Sequence, residues 1–310
     1  MHRATTIRIA LLALIWGSGF LWIKLAIRGL SPVEVTLTRL VLGSAVLFAV
    51  VAARRDFASV PRSPVLWMHI IVAAVFANAA PYLLFAVGEQ HVASSTAGML
   101  NATTPLWTVI VALATRHQRA VTARQATGLL VGFGGAVLIF SPWQTASWLG
   151  SVGAIECLAA AASYGISYVY MDRFLARRGI SPVALSACQL LAASGWLALA
   201  LGATGVQSPR LNLSVVASVA ILGLIGTGAA YVLNYQIITS EGATVASTVT
   251  YLLPVVAIVL GVLALGEHIT LLGIAGIALI LVGVGLTRPQ QEQRAQVDTA
   301  RLRSWLRLRP

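Results

Sequence analysis

Ten apolar runs take up almost the whole chain, at roughly residues 7–27, 32–53, 64–87, 93–114, 124–140, 150–171, 181–201, 213–238, 242–265 and 269–287. A helix needs about 20 apolar residues to cross the hydrocarbon of a bilayer, and these runs are close to that length. They are broken by Ser-Pro pairs, glycines and arginine clusters, as at Ser31-Pro32 and Arg54-Arg55. Apolarity is continuous within each run. The pattern therefore predicts helices and excludes the alternating strands of about 10 residues that build a membrane β-barrel. The connections are too short for an inserted soluble domain. The expected fold class is an all-α polytopic membrane protein with ten transmembrane helices.

Composition agrees. Hydrophobic residues make up 58% of the 310 and charged residues 10%, with a mean hydropathy of +0.86. Soluble domains carry about 25% charged residues, so an ordinary soluble enzyme, a disordered chain and a fibrous one are all excluded. The first run is too long for the apolar part of a signal peptide and is expected to stay as the first membrane helix. Cys157 and Cys188 fall inside apolar runs at different depths, which argues for two buried thiols rather than a disulfide.

The net charge of +12 is a topology signal rather than a nucleic-acid-binding face, because the basic residues sit in short clusters between apolar runs. With the N-terminus placed in the cytoplasm, 17 arginines fall on the inner side, among them Arg3, Arg8, Arg54, Arg55, Arg62, Arg116, Arg119, Arg124, Arg173, Arg177 and Arg178. Only Arg28 and Arg210 fall outside. This split follows the positive-inside rule. It predicts a multi-pass protein of the cell inner (plasma) membrane with both termini cytoplasmic.

The sequence also repeats itself. Arg28-Gly29-Leu30-Ser31-Pro32-Val33 recurs as Arg178-Gly179-Ile180-Ser181-Pro182-Val183, Tyr82 as Tyr231, Pro105 as Pro254 and Gly128 as Gly276, at offsets of 148 to 150. Each half holds five helices. Five is odd, so the second half starts on the opposite side and the repeats are inverted, as in many secondary transporters. The expected units are residues 1–148, residues 149–287 and a basic cytoplasmic tail, 288–310.

Leu14-Ile15-Trp16-Gly17-Ser18-Gly19-Phe20 followed by Ile23-Lys24, Gly29-Leu30-Ser31-Pro32 followed by Thr38-Arg39, and Gly242-Ala243-Thr244-Val245-Ala246-Ser247 followed by Tyr251-Leu252-Leu253-Pro254 and Leu265-Gly266-Glu267 resemble the motifs of EamA-type members of the drug/metabolite transporter superfamily. The resemblance covers about residues 7–287. It implies a ten-helix inner-membrane carrier of small metabolites, often amino acids, usually moved outward. It also implies a central cavity built from helices one to four and six to nine, with five and ten peripheral. Two positions depart from the family pattern. Thr115-Arg116-His117-Gln118-Arg119 stands where a Gly-Glu pair often follows helix four, and Leu253 replaces the acid of the ninth-helix motif.

Intramembrane charges are the best candidates for function, since each costs about 2.5–3.5 kcal/mol at a helix centre even on a lenient scale. Arg39 lies about 10 Å below the outer surface, seven residues past Pro32, at 1.5 Å per residue. Its repeat counterpart is Gln189 and that of Lys24 is Phe174. Arg39 or Lys24 suits a substrate carboxylate, and Glu156 suits an ammonium or a pairing with Arg39. Snorkelling to the outer interface is the competing role for the two cations. Polar and aromatic stripes mark helix faces turned to the interior, because lipid offers no hydrogen-bond partner. The candidate substrate-binding residues are Trp16, Lys24, Arg39, Asn78, Tyr82, Asn101, Glu156, Tyr164, Tyr168, Asn234 and Tyr251.

Gly128 and Gly132 in helix five, with Gly273, Gly276, Gly283 and Gly285 in helix ten, serve close packing within the bundle or a homodimer seam. Glu267 caps the start of helix ten. No enzyme motif is present, and no histidine has an acid or cysteine at metal-ligand spacing. No cofactor or metal is expected. The partners expected are a small-molecule substrate and the lipid bilayer, with no nucleic acid. The function expected is secondary transport of amino acids or related small metabolites by alternating access, most simply export. The rival is broad export of hydrophobic or cationic drugs, ahead of a membrane enzyme or receptor.

Overall fold

The computed structural model describes residues 3–118, 120–140, 143, 151–176, 178–205, 208–256 and 271–287. Glu267 and the tail 288–310 lie outside the described residues. The elements are α1 (Arg3–Gly17), α2 (Gly19–Ala26), α3 (Pro32–Ala53), α4 (Pro64–Ala74), α5 (Ala80–His91), α6 (Ser94–Asn101), α7 (Thr104–Ala114), α8 (Ala123–Phe140), α9 (Val152–Phe174), α10 (Pro182–Thr204), α11 (Leu213–Gly223), α12 (Ala230–Glu241), α13 (Ala243–Ser247), α14 (249–256) and α15 (Leu271–Thr287). No strand occurs among the described residues.

Joined across their internal breaks, these elements give seven helices long and apolar enough to cross a membrane. They are Ala4–Ala26, Pro32–Ala53, Pro64–His91, Thr96–Ala114, Val152–Phe174, Pro182–Ala203 and Leu213–Glu241. Three shorter apolar helices, Ala123–Ile139, Ala243–Val256 and Leu271–Thr287, accompany them. Large apolar side chains such as Leu130, Leu199 and Leu281 face outward, as suits a chain whose surroundings are lipid.

Local chemistry fixes the ends. Ser31 accepts from the Glu34 amide at 3.3 Å while Glu34 accepts from the Ser31 amide at 2.8 Å, a capping box with Pro32 in the first turn of α3. Ser151 and Asn212 cap α9 and α11 by accepting from the Ala154 and Val215 amides. The Arg28 and Arg210 connections meet at one end of the bundle, where the Arg210 amide donates to Gly29 O at 2.8 Å. The connection carrying Arg116 meets the last turn of α9 at the other, where Arg173 donates to Thr115 O at 3.2 Å.

Two long helices contain a π-helical turn, Val75–Ala79 between α4 and α5 and Leu224–Ala229 between α11 and α12. A π turn inserts an extra residue and frees carbonyls from the regular ladder. Side chains from elsewhere take them up. Ser163 donates to Phe76 O at 2.9 Å, Tyr231 donates to Ala77 O, and the Trp16 indole donates to Gly226 O at 3.1 Å.

The glycines of α8 and α15 face each other within the chain. A Cβ on Gly135 would stand 2.6 Å from Gly276 O, and one on Gly283 would stand 2.5 Å from the Gly132 amide. Cys157 and Cys188 are free and buried.

Candidate substrate cavity

A cavity of about 70 Å³ lies inside the bundle, with room for a few waters or the polar head of a small solute. Its wall takes Trp16 and Phe20 from α1 and α2, Arg39 from α3, Tyr82 and Phe85 from α5, and Asn101 from α6. Tyr164, Ser167 and Tyr168 come from α9, Tyr231 and Asn234 from α12, and Thr250 and Leu253 from α14. No wall residue comes from α8 or α15.

The aromatic rings pack edge to face or stacked. Trp16 and Tyr231 centroids are 6.3 Å apart, Tyr82 and Tyr164 6.4 Å, Phe85 and Tyr164 6.0 Å, and Phe20 and Phe85 5.5 Å. Such pairs stabilise by about 0.5–1.5 kcal/mol beyond their burial, so the aromatic part of the wall is stiff.

Arg39 is the cation of this wall. It is 6% exposed, its guanidinium carbon lies 3.9 Å from the Tyr82 ring centroid, and its Nε donates to Thr227 at 3.0 Å. It makes no ion pair with Glu156 or with any other described acid. Tyr82 Oη and Asn234 Oδ1 are buried without a hydrogen-bond partner. Among the described residues the wall thus holds one guanidinium without a counter-ion and two polar atoms without partners, set among aromatic faces. That combination suits an anionic group attached to an apolar or amphipathic body.

Seven of the eleven residues picked from the sequence share this wall: Trp16, Arg39, Tyr82, Asn101, Tyr164, Tyr168 and Asn234. The other four lie elsewhere. Asn78 accepts from Gln189 Nε2 at 2.6 Å, and Gln189 in turn accepts from Tyr235. Lys24 donates to Glu89 O at 2.5 Å and Val92 O at 3.2 Å. Tyr251 donates to Leu129 O at 3.0 Å and packs on Gly132, tying α14 to α8. Glu156 is half-buried near the start of α9, does not line this wall, and its Oε2 has no hydrogen-bond partner among the described residues.

His117 pairs with Asp172 at 2.9 Å, a contact that its sequence position did not reveal. Among the described residues no group of three histidines, cysteines or acids is placed to hold a metal.

The sequence pattern of the EamA-like transporter family matches residues 5–141 and again residues 151–288. The chain belongs to the EamA-like transporter family. An Archaeoglobus fulgidus protein described as an uncharacterized transporter is 24% identical over 279 residues, covering 89% of this chain and 95% of that one. A Chlamydia trachomatis protein described as an S-adenosylmethionine/S-adenosylhomocysteine transporter is 28% identical, covering 82% of this chain and 80% of its own. A Streptantibioticus cattleyicolor protein described as a probable terminal-alkyne amino-acid exporter is 29% identical, covering 87% and 89%. A solved crystal structure superposes with a TM-score of 0.73 at 18% identity over 92% of this chain and 96% of that one, a likeness of fold.

In this EamA transporter, the candidate set read from the sequence leaves out other wall residues, among them Phe20, Phe85, Ser167, Tyr231 and Thr250. Tyr231 was within reach, because its repeat mate Tyr82 was chosen. Ser167 and Thr250 look in the sequence like ordinary interhelical polar contacts. Phe20 and Phe85 carry no signal in an apolar run.

Proposed function

We propose that this EamA transporter is a ten-helix carrier of the inner membrane that moves amino acids or related small metabolites outward by alternating access around the cavity. The two halves, 1–148 and 149–287, act as inverted repeats, and both termini are cytoplasmic. The pattern of helix contacts supports the repeat. The first apolar segment packs on the eighth and the third on the sixth, the second on the seventh, and the fifth on the tenth. Moving each segment five places along exchanges these pairs among themselves, as a two-fold relation between halves requires.

The single observation that carries the cargo class is Arg39. A guanidinium buried in the cavity wall without a described counter-ion favours a carboxylate and disfavours a cationic dye. The cargoes for which the Chlamydia and Streptantibioticus relatives are named both contain an amino-acid moiety. The aromatic wall then contacts the apolar part of the cargo, while Tyr82 and Asn234 offer polar atoms to it. The cavity is small in this conformation, so the binding state for larger cargo is more open.

Purified protein in liposomes, challenged with a panel of amino acids and cationic dyes with and without a proton gradient, tests this. Counterflow of at least one amino acid, reduced in Arg39→Gln, is the expected result. Movement of dyes alone, unaffected by Arg39→Gln, overturns the cargo class. Reporter fusions placing the C-terminus outside the cytoplasm overturn the ten-helix topology.

A further inference from the structure

Glu89 near the end of α5 is fully buried. Its Oε2 accepts from the Ser94 hydroxyl at 2.8 Å, and its Oε1 has no hydrogen-bond partner. The surrounding seam is tight. A Cβ on Gly88 would meet Cys157 Sγ at 2.7 Å and Gly153 O at 2.9 Å, so α5 and α9 nearly touch here. Burying an ionised carboxylate is costly unless it is paired or fully hydrogen-bonded. The nearest cation, Lys24 of α2, makes no ion pair with it. The ammonium instead holds two backbone carbonyls beside it, Glu89 O and Val92 O. The other titratable groups facing Glu89 are Cys157 on α9, which Glu156 also faces, and, at longer range, Arg39 on α3. His91, on the same helix, points to the exterior.

We propose that Glu89 is a proton-binding site, and that its charge decides whether Lys24 ties α2 to the end of α5. With the proton on, Lys24 stays on the two carbonyls, as seen here, and holds α2 against the end of α5. When the proton leaves, the bare carboxylate draws the ammonium to itself, the carbonyls lose their donor, and α2 is released from the Val92 turn. The step is a simple acid ionisation, and Lys24 remains an ammonium throughout. The link to cargo rests on the transporter reading above, with proton exchange at Glu89 timed to opening of the cavity at this end.

Two measurements on the full-length protein in phospholipid vesicles test the site without any cargo. Infrared spectra at neutral pH are expected to show the carbonyl stretch of a buried carboxylic acid. That band is lost in Glu89→Gln, kept in Glu156→Gln and shifted in Glu89→Asp. A band of undiminished intensity in Glu89→Gln overturns the proton site. Labelling of Cys157 by a small maleimide, in a Cys188→Ala background, reads the gate. Raising the pH is expected to speed labelling severalfold more in the Glu89 protein than in Glu89→Gln, since ionisation of the thiol itself is common to both. Equal acceleration in the two overturns the gate. If no cargo is moved in uptake assays, the transporter reading fails on its own and both measurements still decide Glu89.

Discussion

Arg39 stands with its guanidinium 3.9 Å from the centre of the Tyr82 ring while its Nε donates to Thr227 at 3.0 Å. One side chain of α3 thereby joins the cavity wall on α5 to the π turn between α11 and α12. The Trp16 indole holds the neighbouring carbonyl, that of Gly226, in the same turn. A ligand that draws Arg39 toward the cavity weakens one of the two restraints on that turn. A cargo bound as proposed is therefore expected to change the shape of this turn through a short physical path.

Arg39→Gln is expected to insert and fold, because the repeat counterpart is Gln189 and a buried amide is tolerated there with good partners. Uptake of an amino-acid cargo should fall at least about tenfold, the loss equivalent to about 1.4 kcal/mol of carboxylate binding. Tyr82→Phe keeps the ring beneath the guanidinium and should lose less, whereas Tyr82→Leu removes a cation–π contact of up to about 2 kcal/mol in a desolvated site. Initial rates in liposomes, normalised to folded protein, check the order. Wild-type rates in Arg39→Gln would return the search to the aromatic wall.

Leu253 lines the cavity where the family resemblance places an acid. Leu253→Glu puts a carboxylate into the compartment that holds Arg39. At an effective dielectric of about 20, unit charges 4 Å apart interact by about 4 kcal/mol, so even a partly screened carboxylate competes with an anionic cargo. The ratio of cationic-dye to amino-acid transport should rise about tenfold or more, corresponding to about 1.4 kcal/mol. An unchanged ratio in a folded variant means that Leu253 does not face the bound cargo.

How much of this was legible in the sequence follows from what each residue depends on. The helical runs and their ends were readable because they rest on local chemistry: apolar length, Ser-Pro starts and the Ser31–Glu34 box. Arg39 was readable because a cation in an apolar run has few explanations. Lys24 and Tyr251 also read as candidates, yet their partners are backbone carbonyls on α5, the Val92 turn and α8. No spacing rule encodes a contact across helices. Glu89 was missed for the opposite reason. Standing beside Gln90 and His91 it looks like a solvated helix end, and only the approach of Gly88 to Gly153 buries it. The π turns were likewise invisible, since Val75–Ala79 and Leu224–Ala229 carry no proline or charge of their own.

Trp16→Phe tests the π turn directly. The ring is kept, but the indole N–H that serves Gly226 O is lost. A carbonyl buried without its donor costs about 1–3 kcal/mol. The variant should melt at a lower temperature in detergent, and Trp16→Leu, which also loses the edge-to-face contact with Tyr231, should melt lower still. If Trp16→Phe melts like wild type, water or another donor satisfies Gly226 and the turn does not depend on Trp16.

The α8–α15 seam offers the sharpest control, because two adjacent glycines face different surroundings. A Cβ on Gly134 meets nothing within 4 Å, whereas one on Gly135 would lie 2.6 Å from Gly276 O and 2.8 Å from the Ile280 amide. Replacing a helix-interior glycine by alanine favours the helix by about 0.8–1.0 kcal/mol. Gly134→Ala should therefore leave stability unchanged or raise it slightly. Gly135→Ala gains the same backbone term but forces two helix backbones apart, and overpacking of a tight contact costs about 1–3 kcal/mol. The backbone atoms it meets have no rotamer to give way, so the net change should be destabilising. Thermal melting of the two variants in the same detergent measures the difference. Because these glycines are occupied within one chain, the particle mass of folded Gly135→Ala should match that of wild type. If Gly134→Ala is the more damaging of the two, or if Gly135→Ala alone changes the particle mass, the seam joins two chains instead.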